Sequence, residues 1–394
     1  MANYNLKRFA DPDALKRMQQ RYLLALLKPH QPYFTRRGLI FPAADDGELD
    51  HEFLSGILLS PDENISDDLA DTLYSIDEMA TDDAMDDPIK ASTAAGLSLD
   101  QGPEMTPADV AVQVWMVDRD LFERKHAEQL AHRPRSFQSF QSVDSPRREI
   151  DPSPGQRAAL ETDFDNWFEA NKRGGGCRVF VFPEDEEVYF VVRHGQPYKR
   201  EGKLQGKKST SVCYRPEKHD IVVYSPISGE LRMNAASQRE KELYRTAFGL
   251  RLFGSEDHFP GTAKYTLDPL REQGEASLVC SEVDGMQWVK LTEIRYLWRG
   301  TPSEIEVRKS DDLFAVLRHR QAQIPPRARI IGATFAVQFT DAKTPRSVSV
   351  LPPNITKYSR DDDGKLVEQW LSLRGFILTE RLADENADSV LVGA

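Results

Sequence analysis

Cysteine is scarce in this chain: there are three in 394 residues, Cys177, Cys213 and Cys280, odd in number and without a CxxC pair. That excludes a disulfide framework as the organising device and leaves buried free thiols as the expectation. The nearest set for zinc, Cys177, His194, Cys213 and His219, has none of the compact ligand spacings that pre-organise a tetrahedral site, so no metal and no cofactor are expected. Long apolar runs are missing too, none approaching the roughly 18 residues of a membrane helix. The opening MANYNLKRFADPDALKRM has no apolar signal region. A cytoplasmic protein without membrane contact is the expectation. No repeat of fixed period is present, which excludes solenoids and propellers.

Charge, by contrast, is abundant and segregated. The 51 Lys/Arg and 63 Asp/Glu sum to a net charge of −12. Residues 1–37 hold eight Lys/Arg and two acids, residues 45–87 hold sixteen Asp/Glu and no Lys/Arg, and residues 193–218 hold eight Lys/Arg against Glu201 and Glu217. In the acidic block Leu69, Leu73, Ile76 and Met79 recur at helical spacing. Ser66 is placed to cap that helix, and Asp67 and Asp68 complement its dipole. Helices are also predicted over PDALKRMQQRYLLALLKP, DDAMDDPIKASTAAG and TPADVAVQVWMVDRDLFERKHAEQLAHR, the last opening on Thr106 and Pro107.

These segments define an all-helical region over residues 1–131. Residues 132–154 are rich in Pro, Ser and Gln and read as a linker. A further helix, GQRAALETDFDNWFEANKR, runs up to Gly174-Gly175-Gly176. Beyond it the period becomes strand-like in CRVFVF, EVYFVVRH, HDIVVYS, GELRMN, ASLVC and WVKLTEIRYLW. HDIVVYSPISGELRMN reads as a hairpin turning over residues 226–229, and RIIGATFAVQF with RSVSVLPP as another. Helices are predicted at SQREKELYRTAFG, SDDLFAVLRHRQAQ and DDDGKLVEQWLSLRGF. The fold class is therefore α+β, with a mostly antiparallel mixed region over residues 155–385. A division near 300–325 and a flexible tail over 386–394 complete the expected layout.

The run ending in Arg193-His194-Gly195 resembles the signature that opens histidine phosphatases, which implies a phosphoryl-accepting His194 and a phosphate-holding Arg193. That chemistry also needs a second histidine on a late strand, a further arginine and a carboxylic acid. His219 and His258 fall too early for that histidine, and His319 falls in a helical stretch. Pro183-Glu184-Asp185 followed by Glu201-Gly202-Lys203 resembles a PD-(D/E)xK nuclease, but its Glu-x-Lys sits in a polar stretch rather than on a buried strand. The triple glycine lacks the Lys-Ser/Thr ending of a phosphate-binding loop, and Asp361–Gly364 lacks the alternating ligands of a calcium loop.

The basic segment 193–218 is the feature that remains. Arg193, Lys199, Arg200, Lys203, Lys207 and Lys208 are interleaved with Tyr198 and Tyr214, a composition suited to clamping phosphates and stacking on bases. It is read here as a loop joining two strands. The expected function is a non-catalytic binding or regulatory component that contacts nucleic acid or another polyanion, modulated by the acidic helical region. A metal-dependent nuclease and a protein-interaction subunit of a multi-protein bacterial assembly are the alternatives. Nucleic acid and a protein partner are accordingly the partners to consider.

Overall fold

The computed structural model describes residues 6, 9–42, 47–81, 92, 96, 98–100, 102–143, 148–184, 186–360 and 363–378. The chain divides into two compact units, Met1–Gln129 with Glu201–Val212, and Leu130–Arg200 with Cys213–Ala394. The predicted helix over DDAMDDPIKASTAAG and the tail over 386–394 fall mostly or wholly outside the described residues.

The helical unit contains α1 (Pro12–Arg17), α2 (Gln20–Leu27), α3 (Gln31–Arg36), α4 (His51–Leu59), α5 (Asp67–Met79), α6 (Pro107–Val117) and most of α7 (Arg119–His132). Leu69, Leu73, Ile76 and Met79 are buried on α5 as their spacing predicts, while Asp67, Asp68 and Asp71 face solvent. The long helix predicted from Thr106 to Arg133 is broken at Asp118, which takes an extended conformation and accepts a hydrogen bond from Leu121 N at 3.0 Å. Aspartate competes for backbone groups in this way, so one residue stops α6 and caps α7. Two buried carboxylates tie distant segments together. Asp77 accepts from Phe9 N at 2.7 Å, and Asp109 accepts from Gln19 N at 2.9 Å.

The second unit is built on ten antiparallel strands in the order β2-β3-β6-β7-β1-β12-β11-β10-β8-β9. These are β1 (Ser136–Gln141), β2 (Arg178–Glu184), β3 (Glu187–Gly195), β6 (Glu217–Ser225), β7 (Glu230–Met233), β8 (Met286–Trp298), β9 (Glu304–Lys309), β10 (Arg329–Phe339), β11 (Arg346–Leu351) and β12 (Ile355–Lys357). Both predicted hairpins are present, as β6-β7 and β10-β11. The helices are α8 (Pro154–Ala170), α9 (Gln238–Phe248), α10 (Asp268–Glu272), α11 (Leu313–His319) and α12 (Gly364–Leu373). Two apolar cores result, one around Phe164, Phe190, Tyr244 and Phe248, the other around Phe335, Phe339, Trp370 and Phe376.

Three expectations are corrected by this unit. Ser136–Gln141, inside the stretch read as a linker, is the strand β1, paired with β7 on one side and β12 on the other. Its two phenylalanines gave too weak an alternation to show, because Ser139 occupies a buried position for polar reasons. ASLVC is not a strand: Gly274–Leu278 is a short helical turn. Residues 300–325 mark no break, since β9 and α11 run through them and Leu313 and Phe314 enter the second core.

What β1 answers with Ser139 is a buried charge. Glu230 accepts from Ser139 Oγ at 2.5 Å and from Lys264 Nζ at 2.6 Å. Lys264 also lies 3.3 Å from Glu368, whose other oxygen accepts from the hydroxyls of Tyr358 and Tyr265. Burial opposes ionisation of Glu230, yet the Lys264 charge holds its carboxyl below the usual range. Removing one member of such a buried pair strands the other. Lys264→Ala is therefore expected to destabilise the sheet unit by about 3–5 kcal/mol, read as a lower urea midpoint, and Lys264→Arg should cost much less.

Candidate functional site

The basic segment is not a loop. Lys199–Gln205 forms β4 and Lys208–Tyr214 forms β5, a separate two-stranded sheet. Gly206-Lys207 is its turn, and Gly206 has φ +58° while Lys207 does not enter positive φ. A two-residue turn with positive φ at its first position favours glycine there and matches the twist of a hairpin. The strand pattern escaped the sequence reading because no position is buried: apart from half-buried Glu201, every residue of β4 and β5 is exposed. Without a core side, alternation of apolar and polar residues has no reason to appear.

Of the eight residues singled out from sequence, five cations, Lys199, Arg200, Lys203, Lys207 and Lys208, stand exposed on this hairpin. Tyr214 ends β5 and is 38% exposed; Tyr198 precedes β4, is 65% exposed and donates its hydroxyl to Cys213 O at 3.3 Å. Arg193 differs from the rest. It is half-buried on β3, 3.8 Å from Glu217, with its guanidinium over the Phe180 ring.

The segments that lead into and out of the hairpin are held by groups the sequence reading missed. Arg215 donates to Lys172 O at 2.8 Å. Its side chain packs so closely on Gly174 and Gly195 that a Cβ on Gly195 would meet Arg215 Cδ at 2.6 Å and Arg173 O at 2.5 Å. The glycines thus serve close approach. Helix α8 ends before them, at Ala170, where Lys172 takes φ +63° and Arg173 N donates back to Phe168 O at 2.7 Å.

Below this lies a buried charged cluster. His194, Asp220 and Glu240 form, among the described residues, a group whose ligand-type atoms lie within 4.8 Å of one another. His194 has no exposed side-chain surface. Nδ1 lies 2.9 Å from Gly195 O, Nε2 lies 3.0 Å from Asp220 Oδ2, and Phe168 stacks on the ring at 4.1 Å. Both ring nitrogens are engaged and no face is open to a substrate, which is the geometry of a structural histidine and not of a phosphoryl acceptor. Asp220 Oδ2 also accepts from Tyr244, whose hydroxyl is pushed well above the usual tyrosine range by burial and the Asp220 charge.

Two cations already occupy the acidic side of the cluster. Lys218 Nζ is 2.6 Å from Asp220 Oδ1 and 3.4 Å from Glu240, and Arg173 is ion-paired with Glu240. The Lys218–Asp220 contact rests on charge, since Asp220 Oδ1 has no aligned hydrogen bond. A divalent ion would have to displace both cations, so the donor set fits an ion-pair network better than a metal centre. The zinc set of the sequence is not assembled: Cys213 is exposed on β5, and Cys177 is buried, with burial pushing its thiol far up. Asp185 lies outside the described residues, and Glu201 and Lys203 stand on the exposed hairpin where a nuclease pair needs a buried strand.

No family model matches this chain, and no curated protein sequence is significantly similar to it.

The signal for the network was present in HDIVVYS, where Asp220 leads directly into the apolar run of a strand, since an acid carried into a core demands partners. Burial opposes ionisation of Glu240, but hydrogen bonds from Ser237 and Arg173 and the Lys218 charge outweigh it and hold the carboxyl at about 2. A folded-state value below the unfolded 4.5 means that the stabilisation is complete above pH 4.5 and is lost as pH falls toward 2. Glu240→Gln should lower stability at neutral pH by about 3 kcal/mol and flatten the stability profile across that window. Urea denaturation of both proteins over a pH series measures the difference.

Proposed function

We propose that this protein is a non-catalytic binding or regulatory component that contacts nucleic acid through the β4-β5 hairpin. The observation that carries the reading is a two-stranded ribbon, exposed on both strands, with five cations and the single acid Glu201 in a chain of net charge −12. A solvated surface strand of no consequence would not need its entry and exit held by Arg215 and a buried network. Phosphates are the complement of such a surface, because each Lys or Arg that neutralises one releases a condensed counterion. Tyr198 and Tyr214 supply exposed rings for stacking at the start and end of the ribbon.

The acidic helical region is proposed to modulate this contact. Supporting it, the outer part of the hairpin, Glu201–Val212, sorts into the same compact unit as the acidic block, and α5 presents Asp67, Asp68 and Asp71 to solvent. Negative surface in that unit repels phosphate and lowers affinity without touching the ligand.

With four to five phosphates neutralised, the logarithm of affinity for duplex DNA should fall with log salt at a slope of about −4, or roughly 150- to 500-fold between 50 and 200 mM. Charge reversal at Lys199, Arg200, Lys203, Lys207 and Lys208 should abolish binding while leaving the far-ultraviolet circular dichroism unchanged, since all five are exposed. Fluorescence anisotropy across a salt series reads both. Equal affinity of the reversed variant and the parent would end the proposal, as would a parent that binds no nucleic acid at low salt.

A further inference from the structure

Resting on that reading, we infer that the outer hairpin is a groove reader for double-stranded DNA and does not merely clamp phosphates. The two-residue turn sets the pairing: Gln205 stands opposite Lys208 and Lys203 opposite Thr210, in keeping with the 3.2 Å bond from the Thr210 hydroxyl to Lys203 O. Alternation along the strands then sorts the side chains by size. One face of the outer ribbon presents Lys203, Gln205, Lys208 and Thr210 toward the turn, long or polar groups able to bond to base edges, with Glu201 and Val212 on the same face at its base. The opposite face carries Gly202, Ser209 and Ser211, with Leu204 as its one bulky side chain. A ribbon thin on one side and rich in donors on the other suits insertion edge-on into a groove.

The dimensions select the groove. Two strands lie about 4.8 Å apart, and the major groove of B-form DNA is about 12 Å wide, enough to admit a two-stranded ribbon. A-form RNA offers a deep, narrow major groove that side chains cannot read. Single strands are usually held by aromatic platforms; the exposed rings of Tyr198 and Tyr214 lie at the base of the hairpin, and its outer part, Glu201–Val212, contains no aromatic residue. Lysine and glutamine are also side chains whose geometry matches guanine and adenine edges in the major groove.

The test compares three probes of one sequence and length, duplex DNA, duplex RNA and single-stranded DNA, by anisotropy at one salt concentration with the full chain. Duplex DNA should bind at least about tenfold more tightly than either of the others. The neutral double substitution Gln205→Ala with Thr210→Ala should narrow that gap while leaving the salt slope unchanged, because neither residue carries charge. Equal binding of all three probes, or preference for RNA or the single strand, overturns the groove inference and leaves the phosphate contact standing. Absence of binding to every probe at low salt removes both.

Discussion

One buried carboxylate sits at the seam that joins the two halves of the sheet unit into one sheet. Glu230, on β7, is 2% exposed, and its two oxygens are divided between Ser139 of β1 and Lys264. The two apolar cores on either side share no large side chain; β1 and β12, in the middle of the strand order, join them. Without β1, both β7 and β12 would become open edges, with unpaired backbone groups ready to pair with another chain. Asn354 completes the seam, exchanging two bonds with Ser139: its side-chain amide donates to Ser139 O at 2.7 Å, and its backbone carbonyl accepts from Ser139 N at 2.9 Å. A serine in the middle of a ten-stranded sheet is thus there for its hydroxyl and not for its propensity.

The same rule governs the strands that flank the hairpin. On β3, His194 pairs across the ladder with Lys218 of β6, and the pair is backed by Asp220, Glu240 and Arg173. Ion pairs taken out of water gain little net stability over a well-packed apolar core, but each member is costly to leave alone. Their effect is selective: alternative registers of β3 and β6 would strand a charge. The glycines at 174 and 195 add a steric condition, because only there can Arg215 lie against the backbone. An exposed ribbon that buries nothing of its own can still be well placed when its flanks are over-determined in this way.

What the sequence made legible follows from what leaves a periodic trace. The α+β class, the α5 face and the β6-β7 and β10-β11 hairpins all rest on residues that bury an apolar side, and burial imposes the period. The basic segment was recognisable by charge alone, while its strands were not, because both of its faces meet water. Conversely β1 is paired on both edges but was hidden by polar residues whose partners, Glu230 and Asn354, lie about 90 and 215 positions away. Long-range polar pairing has no local signature. His194 shows the converse: a short motif that resembles an enzyme family's signature, and that the missing second histidine already argued against, sits on a residue held by Asp220 and Phe168.

An acidic protein that approaches a polyanion must overcome its own field, and the length of the hairpin bears on how it does so. A seven-residue strand extends about 23 Å at roughly 3.3 Å per residue, against a Debye length of about 8 Å at physiological ionic strength. Charges at the turn, Lys207 and Lys208, are therefore screened from charges near the start of β4. At low salt that screening is lost and the net charge of −12 opposes binding that the ribbon favours. Affinity should then rise less steeply than counterion release alone predicts as salt is lowered. A salt profile that bends at its low end would accordingly report the acidic remainder of the chain, and its linear part near physiological salt would report the ribbon itself.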